Sequence, residues 1–529
     1  MATDDHSWIL PQAVARGAST GRDDVLVEEI DGRSQTYGEL HHDGMRWAEA
    51  LQAHGVETGE TVVAMLRNSL EVIHAWLGIA WLRALMVPIN TMYKGQMLEY
   101  VINNSLARVM FVSGRYLPDL ATVAPQLRNM ELVVVVDDFD HPGPWPFDVV
   151  ALDTFLRGTR GEAHFPPPSP HDISCIIYTS GTTGPSKGVL VPWREFYEFV
   201  NCNPPEMSVR GGPRLCYNPM FHVSGLSGIA VAVDTNIKVV LRETFSVTHF
   251  WDDIERYDIE STPLISAAPA MLLGDERYVD PDNPLRAVTM GPVIPNLDEF
   301  RERFGIEFVN TGYGMTEIGM PLAATADEMP STASCGRVRP GYHLRIIDED
   351  GAEVGVGVVG ELIVETDDRW MMNAGYWDMP EATDKAWKDG WFHTGDAFKR
   401  DDLGFYYFVD RFKDALRRRG ENISSFEVER YVLEHPDVAE VAAVAAPSDL
   451  GEDDLKVVVV RRPGSPLSHE DLHAFLRGCM PRFMTPRYIE FVDALPKTPT
   501  DRVKKVDLRA RPLDENTWDS ERDMARRSR

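Results

Sequence analysis

The chain is poor in the features that would staple it or tie it to a membrane or nucleic acid. Its five cysteines (Cys175, Cys202, Cys216, Cys335, Cys479) are scattered over 529 residues, and none sits in a C-x-x-C pair. That spacing argues against a disulfide framework or a zinc ribbon; reduced, mostly buried thiols are expected. Positive charge is short as well, with 53 Lys and Arg against 82 Asp and Glu and a net charge of −29. Non-specific binding to nucleic acid or to an anionic membrane is thereby disfavoured, and any polyphosphate ligand needs local positive charge. No apolar run has membrane-spanning length. The best one, 74–89, is interrupted by Arg83 and reads as a buried helix followed by a strand. The N-terminus, Met-Ala-Thr-Asp-Asp-His, lacks the basic-then-apolar plan of a signal peptide, so a cytoplasmic protein is expected. No internal repeat is visible.

What is present is an ordinary globular composition, 43% hydrophobic and 26% charged, in a chain too long for one core. Residues 61–66 read as a buried strand, Asn68 or Ser69 as the cap of a helix running to about Leu82, and Leu85–Ile89 as the next strand. The spacing repeats through 95–112, and Val133–Val136 adds a further strand. Such alternation predicts an α/β fold with helix-covered parallel sheets. The prolines at 166, 167, 168 and 170 form a stiff connector. From about Arg411 the pattern changes to a compact α+β unit: helices at 426–433 and 469–478, strands at 438–446 and 456–461. The charged tail after Trp518 is expected to be unstructured.

The stretch Ile176-Ile-Tyr-Thr-Ser-Gly-Thr-Thr-Gly-Pro-Ser-Lys-Gly-Val-Leu190 carries the most chemistry. A strand delivers Thr179, Ser180, Thr182 and Thr183 among Gly181, Gly184 and Gly188, and Lys187 closes the loop. Hydroxyls, bare backbone N–H groups and one ammonium suit a polyphosphate, although such a composition also fits a surface turn. It is not a Walker A loop, because Gly181 and Gly184 are too close and Gly188 follows Lys187. Gly355-Val-Gly-Val-Val-Gly360 matches a dinucleotide fingerprint by letters only, since Leu362-Ile-Val-Glu after it reads as a strand. In Thr311-Gly-Tyr-Gly-Met-Thr-Glu317, two glycines flank an aromatic face suited to stacking a purine. Glu317 is an oxygen ligand of the kind Mg²⁺ takes beside substrate phosphates.

With Trp391-Phe-His-Thr-Gly-Asp396, Asp410-Arg411 and Gly420-Glu-Asn-Ile in the same order, the chain resembles the adenylate-forming superfamily from about residue 20 to about 510. The strings Arg417-Arg-Arg-Gly-Glu-Asn-Ile and Val-Leu-Val-Pro-Trp193 resemble its crotonobetaine/carnitine-CoA ligase-like branch. The resemblance implies a large N-terminal domain (1–411), a small mobile C-terminal domain (412–529) and a hinge at Lys413. It implies a ligase that uses ATP, Mg²⁺ and CoA to turn a carboxylic acid into an acyl-adenylate, releasing pyrophosphate, and then into acyl-CoA and AMP.

By the same resemblance Thr179, Ser180, Gly181, Thr182, Thr183, Gly184 and Lys187 hold phosphates. Gly291, Pro292, Tyr313, Gly314 and Met315 wall the adenine, Thr316 bonds the α-phosphate, Glu317 holds Mg²⁺, and Asp396 and Arg411 hold the ribose. Arg417, Arg418, Arg419 and Gly420 are positioned for CoA, or the arginines are simply a solvated face. Tyr217, Phe221, His222, Val223, Leu226, Met290 and Met320 suggest an apolar acid pocket, with His222 either lining it or packed in the core. Met290 and Pro292 depart from the family's Gly-Gly-Ala-Pro wall. So does Asp501-Arg502, where the family has Gly-Lys; Arg502 takes the catalytic lysine's place, or Lys504 or Lys505 does. These departures leave a diazotase that adenylates nitrite and transfers a nitroso group to an aryl amine as the alternative. A non-catalytic nucleotide binder is the reading of another class. Neither the acid nor the oligomeric state, a homodimer included, follows from the sequence.

Overall fold

In the computed structural model the described residues are 8–20, 24–30, 32–139, 144–179, 186–202, 211–265, 268–411, 416–418, 421–423, 425–447, 453–480, 484–497 and 503–522. They fold as two compact units, Met1–His343 with Val364–Phe392, and Leu344–Ile363 with His393–Arg529.

The first unit contains two large sheets. In the seven-stranded sheet the spatial order is Asp148–Ala151, Leu132–Val135, Val109–Val112, Thr61–Met65, Leu85–Pro88, Ile173–Thr179 and Lys187–Pro192. All neighbours are parallel except the last pair, a hairpin in which Thr179 faces Lys187. The expected strand–helix–strand run is therefore observed. The helix Leu70–Trp81 after Ser69 is buried on every side, as a helix apolar all round must be. Its two polar residues are satisfied: Arg33 donates to Glu71 at 2.5 Å, and His74 pairs with Gln35 at 2.7 Å.

The nine-stranded sheet has a parallel centre formed by Phe308–Met315, Ala287–Gly291, Ser261–Ile265, Arg214–Cys216, Val239–Leu241 and Val25–Glu29. Gly291 lies opposite Ile265 at the carboxyl ends of adjacent strands. Phe308–Met315 then turns back as an antiparallel hairpin with Gly319–Thr325. Carboxyl ends of parallel strands are where open α/β sheets bind ligands, because the connecting loops diverge there.

In the second unit, a four-stranded sheet (Val438–Pro447, Asp453–Arg461, Tyr488–Val492, Thr517–Asp519) carries the helices Ser425–Leu433 and His469–Cys479. Val428, Val432, Val457, Val459, Leu472, Leu476 and Ile489 form its core. The second strand starts three residues earlier than the sequence suggests. Asp454 is paired with Arg487 at 2.8 Å and Lys456 with Glu490 at 2.6 Å, so charges that look unfit for a buried strand are accommodated. Order also continues past Trp518, where an unstructured tail was expected. Asp519 faces Tyr488 in the sheet and Ser520 is buried. Gly360–Thr366 is a strand, as expected after the turn containing Gly357. Among the described residues no helix is long and apolar enough to cross a membrane.

Candidate functional site

The phosphate-loop strand Lys187–Pro192 is flanked by a strap, Asn373–Trp377. Trp377 donates its N–H to the carbonyl of Gly188 at 2.7 Å, Ala374 donates to Leu190 at 2.9 Å, and Leu190 donates to Gly375 at 3.0 Å. The close approach requires glycine at 188: a Cβ there would lie 2.7 Å from the Ile176 side chain. Lys187 extends its ammonium over the ring of Tyr376, 4.6 Å from the centroid. Thr179 ends the opposing strand. The remaining phosphate-loop candidates, Ser180, Gly181, Thr182, Thr183 and Gly184, lie outside the described residues.

The same strap holds the turn that bears Thr316 and Glu317. Asn373 donates its backbone N–H and its Nδ2–H to the carbonyl of Glu317, at 3.1 and 2.6 Å. Tyr376 donates its hydroxyl to Glu317 Oε1 at 3.3 Å. Burial, and then the charge of Glu317, push the Tyr376 phenol above its ordinary range, so it stays a donor. The turn itself follows from sequence: Met315 faces Gly319, which has φ +63°, and Ile318 donates to the Met315 carbonyl at 3.2 Å. Gly314 is glycine because a Cβ would collide with the Gly319 carbonyl across the hairpin. Tyr313 and Thr316 are half-buried, and Glu317 is buried.

Beneath this turn runs the helix Trp193–Val200. Glu195 is fully buried there. Burial, and then the negative charge of Glu317, raise its pKa well above the ordinary 4.5; the Gly319 amide and Arg369 offset this only in part. Glu198, one turn on, is ionically paired with Arg194 and with Arg339, the latter at 3.2 Å. Arg369 donates to the Asn373 carbonyl at 2.5 Å and stacks 3.9 Å over Trp387. Sequence reasoning passed over Tyr376, Asn373 and Glu195. The first two lie in an irregular segment with no residue pattern of its own. Glu195 sits among aromatics and is unremarked by spacing.

Four of the seven acid-pocket candidates lie in two packed clusters. Tyr217 and Met290 are buried together with Leu264 and Val288, and the Tyr217 hydroxyl donates to the Pro263 carbonyl at 2.5 Å. Val223 and Leu226 belong to the other cluster, on the helix Val223–Thr235. Phe221 and His222 are half-buried neighbours with ring centroids 4.7 Å apart, and His222 is the residue just before that helix. Met320 packs against Gly314. Gly291 ends its strand, joined to Pro292 by a cis peptide bond.

In the second unit, Asp396 is buried in the strand Trp391–Arg400 and faces Arg411 across an antiparallel pair. Asp396 donates its N–H to Thr394 Oγ1 at 3.0 Å, and the Gly395 N–H donates to Glu361 at 3.0 Å, which fixes the bend. Arg417 and Arg418 lie in a short hairpin facing Asn422 and Glu421. Lys413, Arg419, Gly420 and Arg502 lie outside the described residues. Of the residues offered in place of the usual lysine, Lys505 is already engaged: it donates to Ser425 Oγ and pairs with Glu429 at 2.8 Å. Lys504 is exposed.

Among the described residues no group of three or more His, Cys, Asp or Glu is placed to hold a metal ion. The arrangement fits Mg²⁺ brought with a nucleotide, which keeps most of its waters and takes one carboxylate besides phosphate oxygens. Glu317, held by its backbone carbonyl and one phenol, is a buried carboxylate of that type.

Residues 14–377 match the family model described as "AMP-binding enzyme", and residues 427–502 match "AMP-binding enzyme C-terminal domain". The chain is 30% identical over 499 residues to a crotonobetaine/carnitine–CoA ligase of Proteus mirabilis (strain HI4320), covering 92% of this chain and 95% of that one. It is 28% identical over 503 residues to the fatty acid–[acyl-carrier-protein] ligase ScoC of Streptomyces coeruleorubidus, covering 91% and 92%. In fold it is similar to the anthranilate CoA ligase AuaEII in complex with anthranoyl-AMP, with a TM-score of 0.86 at 23% identity, covering 94% and 96%. The Bacillus subtilis O-succinylbenzoate coenzyme A synthetase in complex with ATP and magnesium ion gives a TM-score of 0.80 at 23% identity, covering 94% and 98%.

Proposed function

The chain belongs to the AMP-binding enzyme family, and we propose that it activates a carboxylic acid with ATP and passes the acyl group to CoA. One observation carries the residue assignment: a single aromatic ring, Tyr376, has the phosphate-loop lysine on its face and the Thr-Glu turn's carboxylate on its hydroxyl. A cation for phosphates and an anion for their counterion are thereby set side by side.

In the first half-reaction a carboxylate oxygen of the acid attacks the α-phosphorus of ATP, and the bond to the pyrophosphate oxygen breaks. Lys187 and the loop before it take the charge that develops on the leaving pyrophosphate. Thr316 donates to the α-phosphate, and the permanent positive charge of Arg502 takes the part of the family's lysine. Mg²⁺, when bound through Glu317, neutralises phosphate charge. Asp396 accepts from the ribose hydroxyls. In the second half-reaction the CoA sulfur attacks the acyl carbon, AMP leaves, and a thioester results. Positioning supplies most of the rate, since the bound partners no longer need to meet.

The acceptor has a second reading. The resemblance to a carrier-protein ligase supports an acyl-carrier-protein thiol in place of CoA. No observation favours nitrite activation. The test is mass spectrometry of products from the purified protein with MgATP, a pool of carboxylic acids, and either CoA or acyl carrier protein. Acyl-CoA with AMP is the expected result. Acylated carrier alone would move the acceptor. Diazo or triazene products in a parallel reaction with nitrite and aryl amines would replace the proposal.

A further inference from the structure

Lys187 and Glu317 carry opposite charges, and both must be free to meet a nucleotide. Left adjacent, an ammonium and a carboxylate attract each other and neutralise. The structure keeps them on different parts of one side chain. The ammonium of Lys187 lies over the Tyr376 ring face, 4.6 Å from its centroid, while the ring's edge hydroxyl donates to Glu317 at 3.3 Å. Tyr376 is itself fixed. It is buried, its N–H donates to Thr383 Oγ1 at 2.9 Å, it bridges to Val189, and the next residue is bonded to Gly188. A cation on a ring face is held loosely enough to be surrendered to phosphate oxygens, which bind it more strongly.

We infer that Tyr376 is a positioning residue that separates Lys187 from Glu317 and holds each ready for its own part of the magnesium–nucleotide complex. This rests on the nucleotide-binding reading above. Two limbs follow. The hydroxyl orients Glu317 and so governs the Mg²⁺-dependent part of nucleotide affinity. The ring keeps the Lys187 ammonium from Glu317 and so governs the part that needs no metal.

The test is titration calorimetry of a non-hydrolysable ATP analogue, in Mg²⁺ and in EDTA, for wild type, Tyr376→Phe, Tyr376→Leu and Tyr376→Leu/Glu317→Gln. Tyr376→Phe should lose severalfold in Mg²⁺ and bind as wild type in EDTA. Tyr376→Leu should lose about tenfold in EDTA, since the flexible lysine stem then lets the ammonium pair with Glu317. Removing that carboxylate in the double variant should restore affinity in EDTA. Wild-type affinity for Tyr376→Leu in EDTA, or no restoration in the double variant, would overturn the separation. Equal losses for Tyr376→Phe in both media would overturn the hydroxyl limb, which can be measured even if Tyr376→Leu does not fold. A wild-type protein that binds no analogue in either medium would instead overturn the nucleotide reading itself.

Discussion

Asn373 holds Glu317 by its carbonyl twice, once through its backbone N–H at 3.1 Å and once through its side-chain amide at 2.6 Å. The same amide's oxygen accepts from the Gly375 N–H at 2.8 Å and from Trp387 Nε1 at 3.4 Å. Asn373 and Glu317 are both buried. Asn373→Ala strips a donor from the Glu317 carbonyl and leaves the buried Gly375 N–H and the half-buried Trp387 Nε1–H without their acceptor. A loss of about 1–3 kcal/mol per orphaned group is expected, read from urea unfolding. Adenylation should fall further than stability alone explains, because the turn beneath Thr316 loosens. A loss below about 0.5 kcal/mol would mean that the bonds are not maintained in solution.

Glu195 gives stability a pH dependence whose sign is set by burial. Its folded-state pKa is raised well above 4.5 by desolvation and by Glu317. Folded protein therefore keeps a proton that the unfolded chain has released, and stability falls as pH rises from the unfolded value through the folded one. Glu195→Gln removes the proton uptake while keeping the shape. Its stability relative to wild type should grow as pH rises above about 4.5 in parallel urea titrations. A difference that does not change with pH would show that Glu195 is not held protonated.

Glu317→Gln should cut acid-dependent exchange of pyrophosphate into ATP by about two to three orders of magnitude, the scale for removing one preorganised charge partner. Thermal unfolding should stay close to wild type, since the Asn373 bonds go to the backbone carbonyl and survive the change. Near wild-type exchange would remove the assignment of Mg²⁺ to this carboxylate.

Lys505 and Arg502 should separate cleanly. Lys505 is tied to Ser425 and Glu429 within the second unit, so Lys505→Met should lower stability and leave pyrophosphate exchange per folded molecule intact. Arg502→Ala should abolish exchange while leaving thioester formation from added acyl-adenylate. The opposite pattern would return the role of the usual lysine to Lys505.

The strand–helix alternation from Thr61 to Val135, the phosphate-loop hairpin and the Thr-Glu hairpin were legible because their determinants are neighbours in the chain. Buried strands need short apolar runs, tight turns need glycine, and both signals lie within a few residues. The motif order likewise identified the chemistry. The acid pocket was less legible. Of the seven residues chosen for it, Tyr217 and Met290 fall in one packed cluster and Val223 and Leu226 in another, because an apolar side chain near a site and one in the core look the same in a sequence.

By itself, then, the sequence determined a two-unit α/β protein with a Thr/Gly-rich hairpin and an acidic turn, since local period and turn chemistry need no partner to be read. Only the tertiary structure decided what holds those two elements in relation to each other. Tyr376 and Glu317 are 59 residues apart in sequence, and nothing local to either announces the other. The same holds for Glu195, a carboxyl whose pKa is raised by burial and by Glu317, and for Asp454 and Lys456, charges buried in a strand because Arg487 and Glu490 meet them. Contact, burial and the field of neighbouring charges arise only once the chain has folded.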